Sequence, residues 1–168
     1  MAGTLYRNPY QNRKYEEVYI PMSAKASNEV KLEFPSHSSN EGFARGAVAC
    51  FVAQMDPTLN ELEDIKTAVS EAVTNAILHA YPNSIGKVLL KLRICPGNTL
   101  ELTVRDRGLG IPDVQQALQP MFTTGGEERS GMGFTIMESF MDRLTVRSTQ
   151  GRGTTVIMKK KLSMRSRR

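Results

Sequence analysis

The sequence predicts an α/β two-layer sandwich, with a mixed, largely antiparallel sheet and helices on one face. Three observations predict it. Apolar residues alternate along several short stretches, such as 29–34 and 99–106, and repeat at helical spacing along others. The resulting order, β-α-α-β-β-loop-α-β-β, segregates helices from strand hairpins. The connections are too short for repeated βαβ crossovers.

Each element follows from its residues. "EVKLEF" (29–34) places Val30, Leu32 and Phe34 on one side of a half-buried strand, which Pro35 and a Ser/Asn cluster end. Phe43, Ala44, Ala47, Val48, Phe51, Val52 and Met55 then repeat as one helical face, so 39–55 is an amphipathic helix. Asp56-Pro57 breaks it, and Thr58 with Glu61 forms a capping box that starts a second helix. "GKVLLKLRI" (86–94) and "TLELTVRD" (99–106) flank "PGN" as a hairpin. A short helix over 112–118 and a loop over 119–130 follow. "GMGFTIMESFM" (131–141) resumes a helical period, and "RLTVRST" (143–149) with "GTTVIMKKKL" (153–162) makes a second hairpin.

At 168 residues the chain suits one domain with a single core, and 40% hydrophobic with 23% charged residues is ordinary for a globular protein. No apolar run approaches the roughly 20 residues of a membrane helix, and the N-terminus lacks the apolar stretch of a secretory signal. Cys50 and Cys95 stand apart in no metal-ligand spacing; they are expected to be buried and reduced, in a cytoplasmic protein. The net charge of +5 depends on the last ten residues, "KKKLSMRSRR"; without their six positive charges it falls to −1. A short basic tail is usually solvated, so nucleic acid is not an expected partner. Residues 1–28 hold four of the five tyrosines and show no sustained period. They read as an extension, native or added in cloning, ahead of a domain over 29–162 and a basic tail over 163–168.

The second helix carries the most informative stretch, "SEAVTNAILHAY" (70–81). Ile65, Ala68, Val69, Ala72, Val73, Ala76, Ile77 and Ala80 form one broad apolar arc. Glu71, Asn75 and His79 form a row beside it. Each four-residue step rotates by about 40°, so Glu71 lies outside the arc, Asn75 on its border and His79 inside its edge. His79 is expected to be a satisfied core residue.

Three glycine motifs follow. "DRGLG" (106–110) sets a carboxylate at a strand end, able to accept from an exocyclic amine, with bare backbone beside a flat ring. "GMGF" (131–134) opens a helix, where free N–H groups favour phosphate. "GTT" (153–155) offers hydroxyls at a strand start. No P-loop, dinucleotide fingerprint or protein-kinase signature set is present.

In this order, "EAVTNAILHAY", "DRGLG", "GMGF" and "GTT" resemble the N, G1, G2 and G3 boxes of the GHKL superfamily of ATP-binding proteins. With "FAR" (43–45), "DPTLNELEDIK", "FTTGGEERSGMGFTIMESFMD" and most of the chain from Asn28 to Lys160, the resemblance extends to the anti-sigma serine kinases of that superfamily, in their sporulation branch. It implies a Bergerat ATP-binding fold, a homodimer, and ATP with Mg²⁺. It also implies a sigma factor of the sigma F type held inactive, and a serine phosphorylated on an anti-anti-sigma partner. By motif match, Glu71 is the general base and Asn75 the magnesium ligand. Asp106 reads the adenine amine, Gly108 and Gly110 back the ring, and Thr154 assists. Gly131 and Gly133 lie at the phosphates, under a lid that includes Thr123, Thr124 and Arg129. Arg45 matches the position that contacts both protein partners. Two departures stand out: Ala80 replaces the glycine of "HGY", and Gly125-Gly126 replaces a Lys-Pro segment, which should loosen the lid. An anti-sigma kinase of the general stress type is an alternative, and so is a nucleotide-dependent sigma-binding protein without transfer activity. A sensor histidine kinase lacks support, since His37 has no helical dimerisation segment before it.

Overall fold

The computed structural model describes residues 26–119 and 132–164. Five strands, β1 (Asn28–Pro35), β2 (Lys87–Cys95), β3 (Thr99–Arg105), β4 (Arg143–Thr149) and β5 (Gly153–Lys161), form one sheet in the order β1-β2-β3-β5-β4. Helices α1 (Ser39–Val52) and α2 (Leu59–Leu78), the short α3 (Val114–Ala117) and α4 (Gly133–Phe140) complete the fold. A 3₁₀ turn over Ala53–Met55 extends α1, close to the expected limit.

Every strand pairing is antiparallel, so the mixed sheet of the sequence reading is corrected. The reason is topological. β3 and β4 run in the same direction, but β5 returns from β4 and inserts between them. The crossover from β3 to β4 carries α3 and α4 on the way.

Registers align the apolar residues in rows across the sheet. Val30, Leu92, Leu102, Met158 and Leu144 make one row; Leu32, Leu90, Val104, Val156 and Val146 make the next. Both rows pack in one core with α2, seven of whose predicted apolar residues are buried in it; the eighth, Ala80, is buried just past the end of the helix. Small side chains at Ala68, Ala72 and Ala76 let α2 lie close to its neighbours. α4 and α1 flank it. On α1, Ala44, Val48, Phe51 and Val52 are buried, whereas Phe43 is 55% exposed and meets Phe34 edge to face at 6.3 Å. Cys95 is buried as expected, but Cys50 is exposed on the outer side of α1, four residues on from exposed Gly46.

Helix ends are tied down. The Thr58 hydroxyl accepts from the Glu61 amide (3.2 Å) while the Glu61 carboxylate accepts from the Thr58 amide (2.8 Å), as the capping box predicts. Lys160 donates to the Phe140 carbonyl at 2.6 Å and to Asp64 at 3.1 Å, which closes the C-terminus of α4 against α2. The opposite sheet face carries a charge ladder: Glu29, Arg93, Glu101 and Lys159 stand in register and pair at 3.2, 2.8 and 2.8 Å. Among the described residues no helix is long and apolar enough to cross a membrane.

Leu102 sits at the centre of the first apolar row and is fully buried. Leu102→Ala is expected to cost about 3 kcal/mol, from lost transfer energy and the cavity left behind. Urea unfolding followed by circular dichroism measures it; a change below about 1 kcal/mol would contradict this packing.

Candidate functional site

The helical layer does not close on the sheet at one end. There α2, the end of β3, the segment after it, the start of α4 and the β4–β5 turn enclose a cavity of about 990 Å³. That is the size of a site for a small organic molecule. Glu71, Asn75, Asp106, Gly110, Gly133 and Thr154 all line it.

Asp106 forms its floor. Its amide donates to the Thr154 carbonyl at 3.0 Å, which carries the β3–β5 ladder one residue further. Its side chain, 5% exposed, accepts from the amides of Gly108 (2.9 Å) and Thr154 (3.1 Å). Both bonds fall on Oδ1, so Oδ2 remains for a donor in the cavity. Burial pushes the carboxyl above the usual aspartate range, and the two amides pull it back in part.

Close backbone approach explains the glycines. Gly110 and Gly153 have φ of +71° and +88°. A Cβ on Gly110 would lie 2.3 Å from the Thr149 carbonyl oxygen, and one on Gly153 2.3 Å from that of Asp106. Gly108 does not reach the cavity lining, contrary to the expectation that it backs a ring. It presses on the end of α2, where a Cβ would lie 2.0 Å from the Ala80 carbonyl oxygen, and the Leu109 amide donates to that same oxygen at 3.0 Å. Tyr81 adds a second tie: its hydroxyl donates to the Lys87 carbonyl and accepts from the Arg107 amide, each at 2.8 Å. The "HAY" stretch is therefore the joint between α2 and the loop after β3.

Opposite Asp106, Glu71 and Asn75 lie one turn apart on α2, both half-buried. They converge on the first residue of α4. A Cβ on Gly133 would stand 3.0 Å from Glu71 Oε2 and 3.2 Å from Asn75 Nδ2. Burial raises the Glu71 carboxyl, and the charge of Glu41 raises it further. His79 departs from expectation: α2 ends at Leu78, and His79 is the exposed C-cap, on the cavity wall. The helix stops one residue before the periodicity that placed His79 in the core.

Arg45 lies away from this cavity. It is exposed on α1 and donates to Glu41 at 3.2 Å. Thr123, Thr124, Arg129, Gly131 and the Gly125-Gly126 pair lie outside the described residues. Sequence reasoning missed Ser148. Its hydroxyl accepts from the Ile111 amide (2.7 Å), donates to the Gly153 carbonyl (3.1 Å) and bonds the Thr154 hydroxyl (2.9 Å). Nothing in "RLTVRST" distinguishes it from an ordinary strand serine.

The profile of the histidine kinase-like ATPase domain matches residues 34–160, which takes in both walls of the cavity. The chain belongs to that family. It is 56% identical over 137 residues to the anti-sigma F factor of Geobacillus kaustophilus, covering 81% of this chain and 94% of that one. It is 57% identical over 137 residues to the anti-sigma F factor of Pasteuria penetrans, covering 80% and 91%. Within the ATPase family, then, its place is among the anti-sigma F factors. The crystal structure of the RsbU and RsbW domains of a Mycobacterium tuberculosis protein superposes with a TM-score of 0.61 at 18% identity, covering 84% of this chain. This chain spans about a third (34%) of that longer one, and the likeness is one of fold.

The glycine geometry separates folding from site formation. Gly108→Ala drives a methyl into the Ala80 backbone just past α2 and should cost about 1–3 kcal/mol. Gly133→Ala meets only the ends of two side chains at a helix start, so stability should change by less than about 1 kcal/mol. Thermal melts of the two variants compare them; equal losses would contradict the packing described.

Proposed function

We propose that this chain binds ATP with Mg²⁺ in the cavity, holds a sigma factor of the sigma F type inactive, and phosphorylates a serine of an anti-anti-sigma protein. The observation that carries it is the pairing of a buried strand-end carboxylate, Asp106, with a helix wall that presents Glu71 and Asn75 to the start of α4. The family and the anti-sigma F relatives support the protein partners. Cytoplasmic location and a homodimer belong to the same reading.

Asp106 accepts from the exocyclic amine of adenine through Oδ2, while Thr154 stands beside it. Gly110 gives the ring room. The start of α4, with Gly133, receives the phosphates, where free N–H groups and the helix dipole favour negative charge. By the motif match Gly131 would join Gly133 at the phosphates, with Thr123, Thr124 and Arg129 in the lid.

The residues present fit a magnesium ion. Asn75 carries a side-chain oxygen, Oδ1, 3.6 Å from where a Cβ on Gly133 would stand, a single ligand beside the space that Gly133 leaves. That suits an ion that takes one or two protein ligands and completes its shell with phosphates and water. When bound it would neutralise phosphate charge.

Glu71 is the base. Its carboxylate accepts the proton as the partner's serine oxygen forms its bond to the γ-phosphorus, while the bond to the bridging β–γ oxygen breaks and ADP departs. Desolvation raises its pKa toward the operating pH, as such a role requires. Arg45, exposed on α1, is the contact for the protein partners.

Glu71→Gln tests the assignment. Transfer from labelled ATP to the serine-bearing partner should fall by about 10²–10⁴-fold, with ATP affinity retained. Equal loss of both would remove Glu71 as the base, and an inactive wild type that still bound sigma factor would indicate a pure binder. Stability should move the other way. The folded-state pKa of Glu71 is raised, so its ionised form opposes folding at neutral pH. Glu71→Gln should raise Tm at pH 7, and the gain should vanish as pH falls through that folded-state pKa. Arg45→Ala should weaken partner binding in calorimetry about ten-fold or more, with nucleotide affinity unchanged; unchanged partner affinity would place that surface elsewhere.

A further inference from the structure

Ser148 lies at the end of β4, outside the four glycine and helix motifs, yet it bonds two residues of the cavity wall, Ile111 and Thr154, and also the Gly153 carbonyl. Its hydroxyl has one proton and two lone pairs. The Ile111 amide uses one lone pair, at 2.7 Å. The remaining contacts are the Gly153 carbonyl at 3.1 Å, which only accepts, and the Thr154 hydroxyl at 2.9 Å, which does either. One arrangement satisfies all three at once. Ser148 donates to Gly153, and Thr154 donates to Ser148. The reverse sends the Ser148 proton to Thr154 and leaves the Gly153 carbonyl without it.

The consequence falls on the cavity. With its proton committed to Ser148, Thr154 turns only lone pairs toward a ligand. Asp106 beside it is likewise an acceptor, with Oδ1 already filled by two amides. Two neighbouring acceptors welcome an amino group and oppose a carbonyl oxygen. A purine with a 6-amino group fits; one with a 6-keto group sets acceptor against acceptor, an unpaired contact in a desolvated place.

The geometry points to Ser148 as a specificity-determining positioning residue, which fixes the hydrogen-bond direction of Thr154 and so selects 6-amino over 6-keto purine nucleotides. This rests on the reading of the cavity as a purine nucleotide site. Ser148 itself touches no ligand; it acts through Thr154.

The test is the ratio of dissociation constants for ITP and ATP, measured by calorimetry on the full chain. ITP replaces the 6-amino group by a keto oxygen and a proton at N1. The wild type should favour ATP. In Ser148→Ala the Thr154 hydroxyl is free to donate, and the ITP/ATP ratio should fall by about five-fold or more, one hydrogen bond's worth. Ser148→Thr, which keeps the hydroxyl, should restore it. A merely structural role would weaken both nucleotides in proportion, and an unchanged ratio would overturn the proposal. A wild type that bound ATP and ITP equally would also overturn it while leaving the nucleotide site intact; one that bound neither would remove the nucleotide reading and this proposal together.

Discussion

The cavity depends on one buried carboxylate. Asp106 stands where β3 ends, and its Oδ1 holds the amides of Gly108 and Thr154. Those two bonds fix the turn after β3 to the start of β5. Without them the strand would end in solvent and the loop would have no reason to fold back beneath α2. An ionised group in such a place is costly, and its raised pKa reports that cost. The amides offset part of it. On the proposed reading, a donor at Oδ2 would relieve the rest.

Around this anchor the site is built on rigid elements. Glu71 and Asn75 ride on α2, whose apolar arc is buried along its whole length. A side chain on such a helix has little freedom to wander, which is what the proposed role of Glu71 as a base would need. The base of the cavity comes from strand ends, and Gly108 and Tyr81 join the two walls through backbone contacts at the end of α2. Ala80 fits this joint. Gly108 presses on its carbonyl, and its methyl is buried. The Ala80 methyl is thus absorbed by packing.

What the sequence made legible was local or periodic. The capping box of α2, its eight apolar positions, the hairpins and the Glu71–Asn75 row follow from spacings of two, three or four residues, and each appears as expected. What stayed hidden was settled by contacts far apart in the chain. Ser148 is held by the Ile111 amide, 37 residues away. Gly108 reads as backing for a ring until α2 is seen to occupy its open side. The all-antiparallel sheet follows from where β5 inserts, which no local pattern encodes. His79, Cys50 and Phe43 show a smaller lesson: apolar periodicity does not mark where a helix stops or how far its neighbours cover it.

The two faces of the sheet divide the physical work. One face is apolar and carries the helices. The other holds Glu29, Arg93, Glu101 and Lys159 in register, a network that satisfies its own charges. Partly exposed pairs of this kind contribute little singly, but a ladder across four strands favours one register over a slipped one, because a one-residue shift would set these charges against the core. Register matters here beyond stability. Asp106, Ser148 and Thr154 belong to three different strands or strand ends, and they meet only if β3, β5 and β4 align as they do. The charge ladder at one end of that alignment and the hydrogen-bonded floor of the cavity at the other are consequences of the same pairing, so the surface that looks least like a site helps to define it.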